Sequence, residues 1–149
     1  AQPNDFSQVV RLVKFWAARM KAADDGFRFK SFMIELILAK LADEGLSFSD
    51  YPEALQHFFT YLARTDLQEK IFFTDNYPAS SMGTFSERVQ IIDPVNGANN
   101  VSRLYNANAS AIYEAAIDAG DAIDSALSAP TKQETVYYWQ KIFGSAFQA

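Results

Sequence analysis

In Phe32-Met33-Ile34-Glu35-Leu36-Ile37-Leu38, six of seven side chains are apolar. At 100° per residue they fall all round a helix and not along one stripe, which is the pattern of a helix in the middle of a bundle. The flanks extend this helix from about Phe29 to Glu44, with Gly45 placed to close it at C′. The apolar run is far short of the roughly 18 residues that a membrane span needs, and Lys40 ends it. A short, fully apolar helix needs partners on several sides, and the rest of the chain supplies them.

On the amino-terminal side a helix is expected from about Asp5 to Ala22, with Asn4 or Asp5 as N-cap. Val9, Leu12, Val13, Trp16, Ala17 and Met20 share its broad apolar face, while Arg11, Lys14 and Lys21 gather on the flank of that face. Asp24-Asp25-Gly26 is a turn signal. On the carboxyl side, Ser47 to Asp50 offers caps and Pro52 fits a first turn. Leu55, Phe58, Phe59 and Leu62 form the stripe of a third helix ending near Thr65-Asp66.

The middle changes character. Ile71-Phe72-Phe73 and Arg88-Val89-Gln90-Ile91-Ile92 read as two short strands, separated by a small, polar and mobile loop over Ala79–Ser86. Asp93-Pro94, Asn96-Gly97 and Asn99-Asn100 carry turn and cap chemistry. A long helix follows from about Val101 to Leu127, with Leu104, Tyr105, Ile112, Ala116, Ala119 and Ile123 at helical spacing and Gly120 in its interior. Pro130 and a Thr131–Glu134 capping box open a last helix, which carries Val136, Tyr137, Trp139, Ile142 and Phe143 before Gly144. The expectation is one mainly α domain over residues 1–149, a helical bundle with a short two-strand element.

Composition narrows the chemistry. With 149 residues and 49% of them apolar, the chain can bury one core, and a disordered segment is excluded. It has no cysteine, which removes disulfides, thiolate catalysis and Cys-based zinc sites and fits a cytoplasmic protein. No secretory signal is visible in Ala1 to Phe6. The chain opens on Ala1-Gln2-Pro3 without Met, so it is expected to be trimmed or excised from something longer. A net charge of −5 argues against broad coating of nucleic acid, though not against a local basic patch.

Catalytic constellations are missing. The single histidine, His57, has no second His or Cys to share a transition metal. No Walker loop, Rossmann glycines or Gly-x-Ser-x-Gly elbow occurs. Asp118, Asp121 and Asp124 read as a solvated acidic face, since like charges at this spacing repel. There is no Asp-x-Asp pair of the sort two-metal phosphoryl transfer uses. One constructive pattern remains. Arg11, Lys14 and Lys21 read either as an ordinary solvated flank or as a candidate phosphate edge, which Ser31 near a helix start beside Arg28 and Lys30 strengthens. Phe32 beside it is a candidate base-stacking ring, with a core role as the alternative.

Read together, three segments carry a family resemblance. Arg11-Leu12-Val13-Lys14-Phe15-Trp16 resembles the "LVKHW" segment that opens the C-terminal lobe of oligoadenylate synthetases. Phe29-Lys30-Ser31-Phe32-Met33-Ile34-Glu35-Leu36 resembles the spine helix that follows it, with its aromatic and its Glu-Leu pair. Ile91-Ile92-Asp93-Pro94-Val95-Asn96-Gly97-Ala98-Asn99-Asn100-Val101 is similar to the family's "ILDPADPTxN" signature and is the most specific of the three. The Asn-Asn-Val ending and compact loops look more like the bacterial cyclic-oligonucleotide synthases of anti-phage defence, which are related to cyclic GMP-AMP synthase.

The resemblance implies the helical C-terminal lobe of a nucleotidyltransferase, whose partner would be an upstream lobe carrying a Gly-Ser motif and three Mg²⁺-binding carboxylates. On that reading Lys14 contacts the triphosphate of a nucleoside triphosphate, Ser31 lies beside it and Phe32 stacks on a base, without the hydroxyl that Tyr would bring there. Asp93, Pro94, Asn99 and Asn100 are expected to serve structure. No catalytic or metal-binding residue is assigned to this chain, and by itself it is expected to be inactive. The alternative reading is a stand-alone helical module that senses nucleotides or binds another protein.

Overall fold

The computed structural model describes residues 3–25, 27–87, 89–102 and 109–147. Helix α1 spans Pro3–Ala23, α2 Ser31–Asp43 and α3 Tyr51–Thr65. After a long connection that contains one 3₁₀ turn, Ala79–Ser81, come α4, Ala109–Ser128, and α5, Lys132–Phe143. Helix α4 packs along both α3 and α5, and α1 touches α2, α3 and α5.

The bundle expected from α2 is present. Met33, Ile34, Leu36, Ile37, Leu38 and Leu41 are buried on faces all round the helix. The stripes of the neighbouring helices meet it: Val9, Val13, Trp16 and Ala17 from α1, and Leu55, Phe58, Phe59 and Leu62 from α3. Trp16 is the hub, with its ring 4.7 Å from that of Phe59, 5.8 Å from Phe27 and 6.3 Å from Phe29, all edge to face. Such geometry adds to the burial that drives the packing. In α4, Ile112, Ala116, Ala119 and Ile123 are buried as their spacing requires.

Helix ends follow the sequence with some corrections. The Asp50 carboxylate accepts from the Glu53 N–H and the Thr131 hydroxyl from the Glu134 N–H, which caps α3 and α5. Gly45 and Gly144 take φ of 99° and 87°, a region where a side chain would strain the turn. Asn4 and Asp5 are not caps, because α1 already begins at Pro3; Asp5 instead accepts from the Tyr51 hydroxyl at 3.0 Å and ties the starts of α1 and α3 together. Val101 and Ser102 form a turn, not the start of the long helix, and Leu104 and Tyr105 lie outside the described residues. Tyr137 departs from the expected stripe, being 54% exposed with the Lys141 ammonium over its ring.

The two-strand element shrinks to isolated bridges, Ile71 with Ile91 in parallel and Ile92 with Asn100 antiparallel. Side chains do the work that a longer ladder would. Asn100 and Ser102 are buried; the Asn100 amide oxygen accepts from the N–H groups of Ile91 and Ser102, and its Nδ2 donates to the Val89 carbonyl. Asp93 accepts from the N–H groups of Val95 and Asn96 and from Asn99 Nδ2. Burial opposes ionisation of Asp93, but these hydrogen bonds prevail and hold its pKa below the usual carboxylate value. The 79–86 loop is tied down near its middle, where the Gly83 N–H donates to the Gly97 carbonyl. Thus Asp93, Asn99 and Asn100 serve as the scaffold of this connection.

Candidate functional site

Helices α1 and α2 cross so that the flank of one faces the amino end of the other. Between them lies a groove of about 320 Å³ whose walls include Lys14 and Lys21 from α1, and Arg28, Lys30 and Ser31 from the segment that enters α2. Its apolar floor is Ala17, Phe29 and Ile34. No carboxylate is among these walls. Four cations on one small concave surface stand out in a chain with net charge −5.

The start of α2 adds donors. Lys30 stands at the N-cap position without a side-chain cap, and the first helical bond is the Ile34 N–H to the Lys30 carbonyl. The N–H groups of Ser31, Phe32 and Met33 have no protein acceptor among the described residues, as expected for a first turn. A helix amino end with unpaired N–H groups, an exposed serine hydroxyl and flanking cations can hold a multiply charged anion.

The structure brings most of the expected edge together. Lys14, Lys21, Arg28, Lys30 and Ser31 share the groove. Arg11 is exposed on the same helix but is not one of the walls, and Phe32 sits half-buried against the core beside the groove. Glu35 was legible as an interruption of the apolar run and as part of the Glu-Leu pair of the resembled spine helix, but not as a partner of Lys14. It forms an ion pair with Lys14, Nζ to Oε1 at 3.1 Å, across 21 positions of sequence. No local pattern announces such a pair, since it depends on how α1 and α2 cross.

Other ionisable clusters have structural explanations. His57 is exposed, with Nε2 3.9 Å from Glu53 one turn earlier on α3. Lys40 bridges Glu44 at 2.6 Å and Glu69 at 2.7 Å and lies over the Tyr61 ring. Burial would lower the pKa of Lys40, yet the two carboxylates leave it raised; Glu69 is lowered chiefly by its hydrogen bond from Lys40, and Tyr61 is raised by burial and by the Glu69 charge. This network pins the end of α2 to the end of α3. Among the described residues no group of three His, Cys, Asp or Glu side chains could hold a metal ion, and no helix is long and apolar enough to cross a membrane.

A helical bundle with a cationic groove at the amino end of its central helix is the class of lobe that the sequence resemblance implied, and comparison with known proteins agrees. No protein-family model matches the chain. It is 66% identical over 149 residues to the cyclic AMP-AMP-AMP synthase of Escherichia coli strain MS 115-1, covering 99% of this chain and 46% of that protein. It is 36% identical over 101 residues to the CBASS oligonucleotide cyclase CdnC of E. coli strain KTE188. Two solved structures superpose with a TM-score of 0.95 at 66% identity, E. coli MS115-1 CdnC with ATP and the same protein in complex with HORMA-deltaN. The chain spans about half the length of these relatives. It is homologous to the CBASS oligonucleotide cyclases, members of the oligoadenylate-synthetase-like nucleotidyltransferases, and has the fold of their helical C-terminal lobe. The HORMA protein is a partner of the relative that the sequence reading did not anticipate.

Proposed function

We propose that this chain is the nucleotide-holding lobe of a cyclic-oligonucleotide synthase that makes second messengers from nucleoside triphosphates in cytoplasmic anti-phage signalling. One observation carries the reading: Lys14, Lys21, Arg28, Lys30 and Ser31 line a single groove at the amino end of α2, on a frame 66% identical to a cyclic AMP-AMP-AMP synthase. In this account the groove takes the triphosphate of a bound nucleotide. Lys14 and its neighbours neutralise phosphate charge, and the Ser31 hydroxyl and the first N–H groups of α2 fix its position. Phe32, next in sequence to Ser31, supplies an aromatic edge for a base.

The lobe contributes orientation. Holding a triphosphate so that its α-phosphate meets a second nucleotide's 3′-hydroxyl lowers the barrier by removing the entropy of alignment. Carboxylates of an upstream lobe would hold Mg²⁺, which would supply charge neutralisation and activation of the hydroxyl; this chain's residues would hold and orient the triphosphate. A HORMA protein is proposed as a partner of the whole protein, by analogy with the solved complex of its relative.

The test is a chimera in which this chain replaces the matching half of the E. coli MS 115-1 synthase. Supplied with ATP, Mg²⁺ and the HORMA partner, the chimera is expected to make cyclic oligonucleotide, and Lys14→Glu to reduce synthesis at least tenfold. A folded chimera that makes no product, or full activity with Lys14→Glu, would contradict the reading. The chain by itself is expected to make none.

A further inference from the structure

We infer that Glu35 is a counter-ion that occupies Lys14 until a polyphosphate displaces it, and so tunes how strongly the groove binds anions. The inference rests on the groove being the triphosphate seat. Among the groove's cations, Lys14 is the one with a carboxylate partner among the described residues, at 3.1 Å. Both side chains are part-exposed, 35% for Lys14 and 45% for Glu35, so neither is locked by burial.

Position along α2 decides the consequence. Ser31 and Glu35 are four residues apart and share a face, with Glu35 about 6 Å further along the axis. The Lys14 ammonium is paired to a carboxylate one turn beyond the amino end of the helix, where the unpaired N–H groups and the Ser31 hydroxyl lie. A phosphate seated at that end offers the same ammonium a second acceptor of higher charge. The four-carbon stem of lysine can serve either position, and an ammonium has three donors to divide between them. Glu35 therefore competes with the ligand for Lys14. A weakly charged anion gains little from Lys14, whereas a triphosphate gains enough to break the pair. The carboxylate thus raises the charge an anion must carry before it is held.

Titration calorimetry of inorganic tripolyphosphate into the 149-residue chain at low ionic strength tests this, with Glu35→Gln, Lys14→Met and the double variant, each checked for an unchanged melting curve. Glu35→Gln is expected to bind about two- to fivefold tighter, the range set by what a part-exposed ion pair contributes. In the Lys14→Met background the same change is expected to give no gain. Equal or weaker binding by Glu35→Gln overturns the inference, and so does a gain that survives without Lys14, since that is general charge repulsion. If Lys14→Met binds as tightly as the parent chain, or the parent does not bind, the groove is not the phosphate seat and both readings fall.

Discussion

Helix α1 forms a wall of two hollows that differ in size and sign. The α1–α2 groove is small, about 320 Å³, and its charged walls are Lys14, Lys21, Arg28 and Lys30. The hollow between α1, α4 and α5 is about 600 Å³, floored by Trp16, Met20, Phe27 and a row of alanines, with Asp24, Glu114, Asp118 and Asp121 against the single cation Lys141. A polyphosphate would meet repulsion in the larger hollow and attraction in the smaller one. Sign and donor geometry, and not volume, are what set the smaller groove apart for a polyphosphate.

The comparison can be broken in four ways, from the largest expected effect to the smallest. Trp16 lines the larger hollow and joins Phe27, Phe29 and Phe59, so Trp16→Ala is expected to cost about 3–5 kcal/mol of stability in denaturant unfolding. A cost under about 1 kcal/mol would show that Trp16 is not the hub that joins α1 to Phe27, Phe29 and Phe59. Next is a pair of charge reversals. Lys21→Glu is expected to weaken tripolyphosphate binding about tenfold, while Asp118→Lys changes it less than about twofold, because Lys21 lines the groove and Asp118 lines the other hollow, where salt screens its field. The opposite ranking would exchange the assignments.

The third perturbation is acid. Asp93 has a folded pKa below its ordinary value, so its stabilisation is present at neutral pH and is lost as pH falls through the folded pKa. Asp93→Asn is expected to lower stability at pH 7 by about 1 kcal/mol and to flatten the decline on acidification, read from unfolding curves between neutral pH and pH 3. An unchanged slope would mean the turn does not depend on that charge. Smallest is Gly120→Ala. A Cβ there would sit 3.7 Å from Phe59 Cβ, an ordinary contact, so the change is expected to stabilise α4 by about 0.5–1 kcal/mol in thermal unfolding. Destabilisation would mean that α3 and α4 pack more tightly than this.

Much of this was legible in the sequence where the signal is local. The all-round apolar pattern of Met33 to Leu38 called for a central helix, and the stripes on α1 and α3 supplied its neighbours. Asp50, Gly45 and Thr131 mark ends by chemistry that acts within four residues. Lys14, Ser31 and Arg28 could be read as a phosphate edge because helical spacing and the start of α2 fix them separately, and the crossing of α1 and α2 then unites them. What sequence left out depends on distant contacts. The Lys14–Glu35 pair spans 21 positions, and Lys40 reaches Glu69 past the end of the next helix. The strands were over-read because Arg88 to Ile91 alternates as a strand does and Ile71-Phe72-Phe73 is a short apolar run, whereas Asn100 and Ser102 side chains take up the backbone groups that a ladder would pair. The start of α4 was misjudged because Val101-Ser102 continues that side-chain network into a turn.

The most direct test of the central claim is an amide chemical-shift map of the ¹⁵N-labelled chain titrated with tripolyphosphate. The account predicts that the largest saturable shifts fall on Ser31, Phe32 and Met33 at the start of α2 and on α1 near Lys14, with the α4 amides of the larger hollow nearly still. Largest shifts along α4, or none at α2, would contradict it.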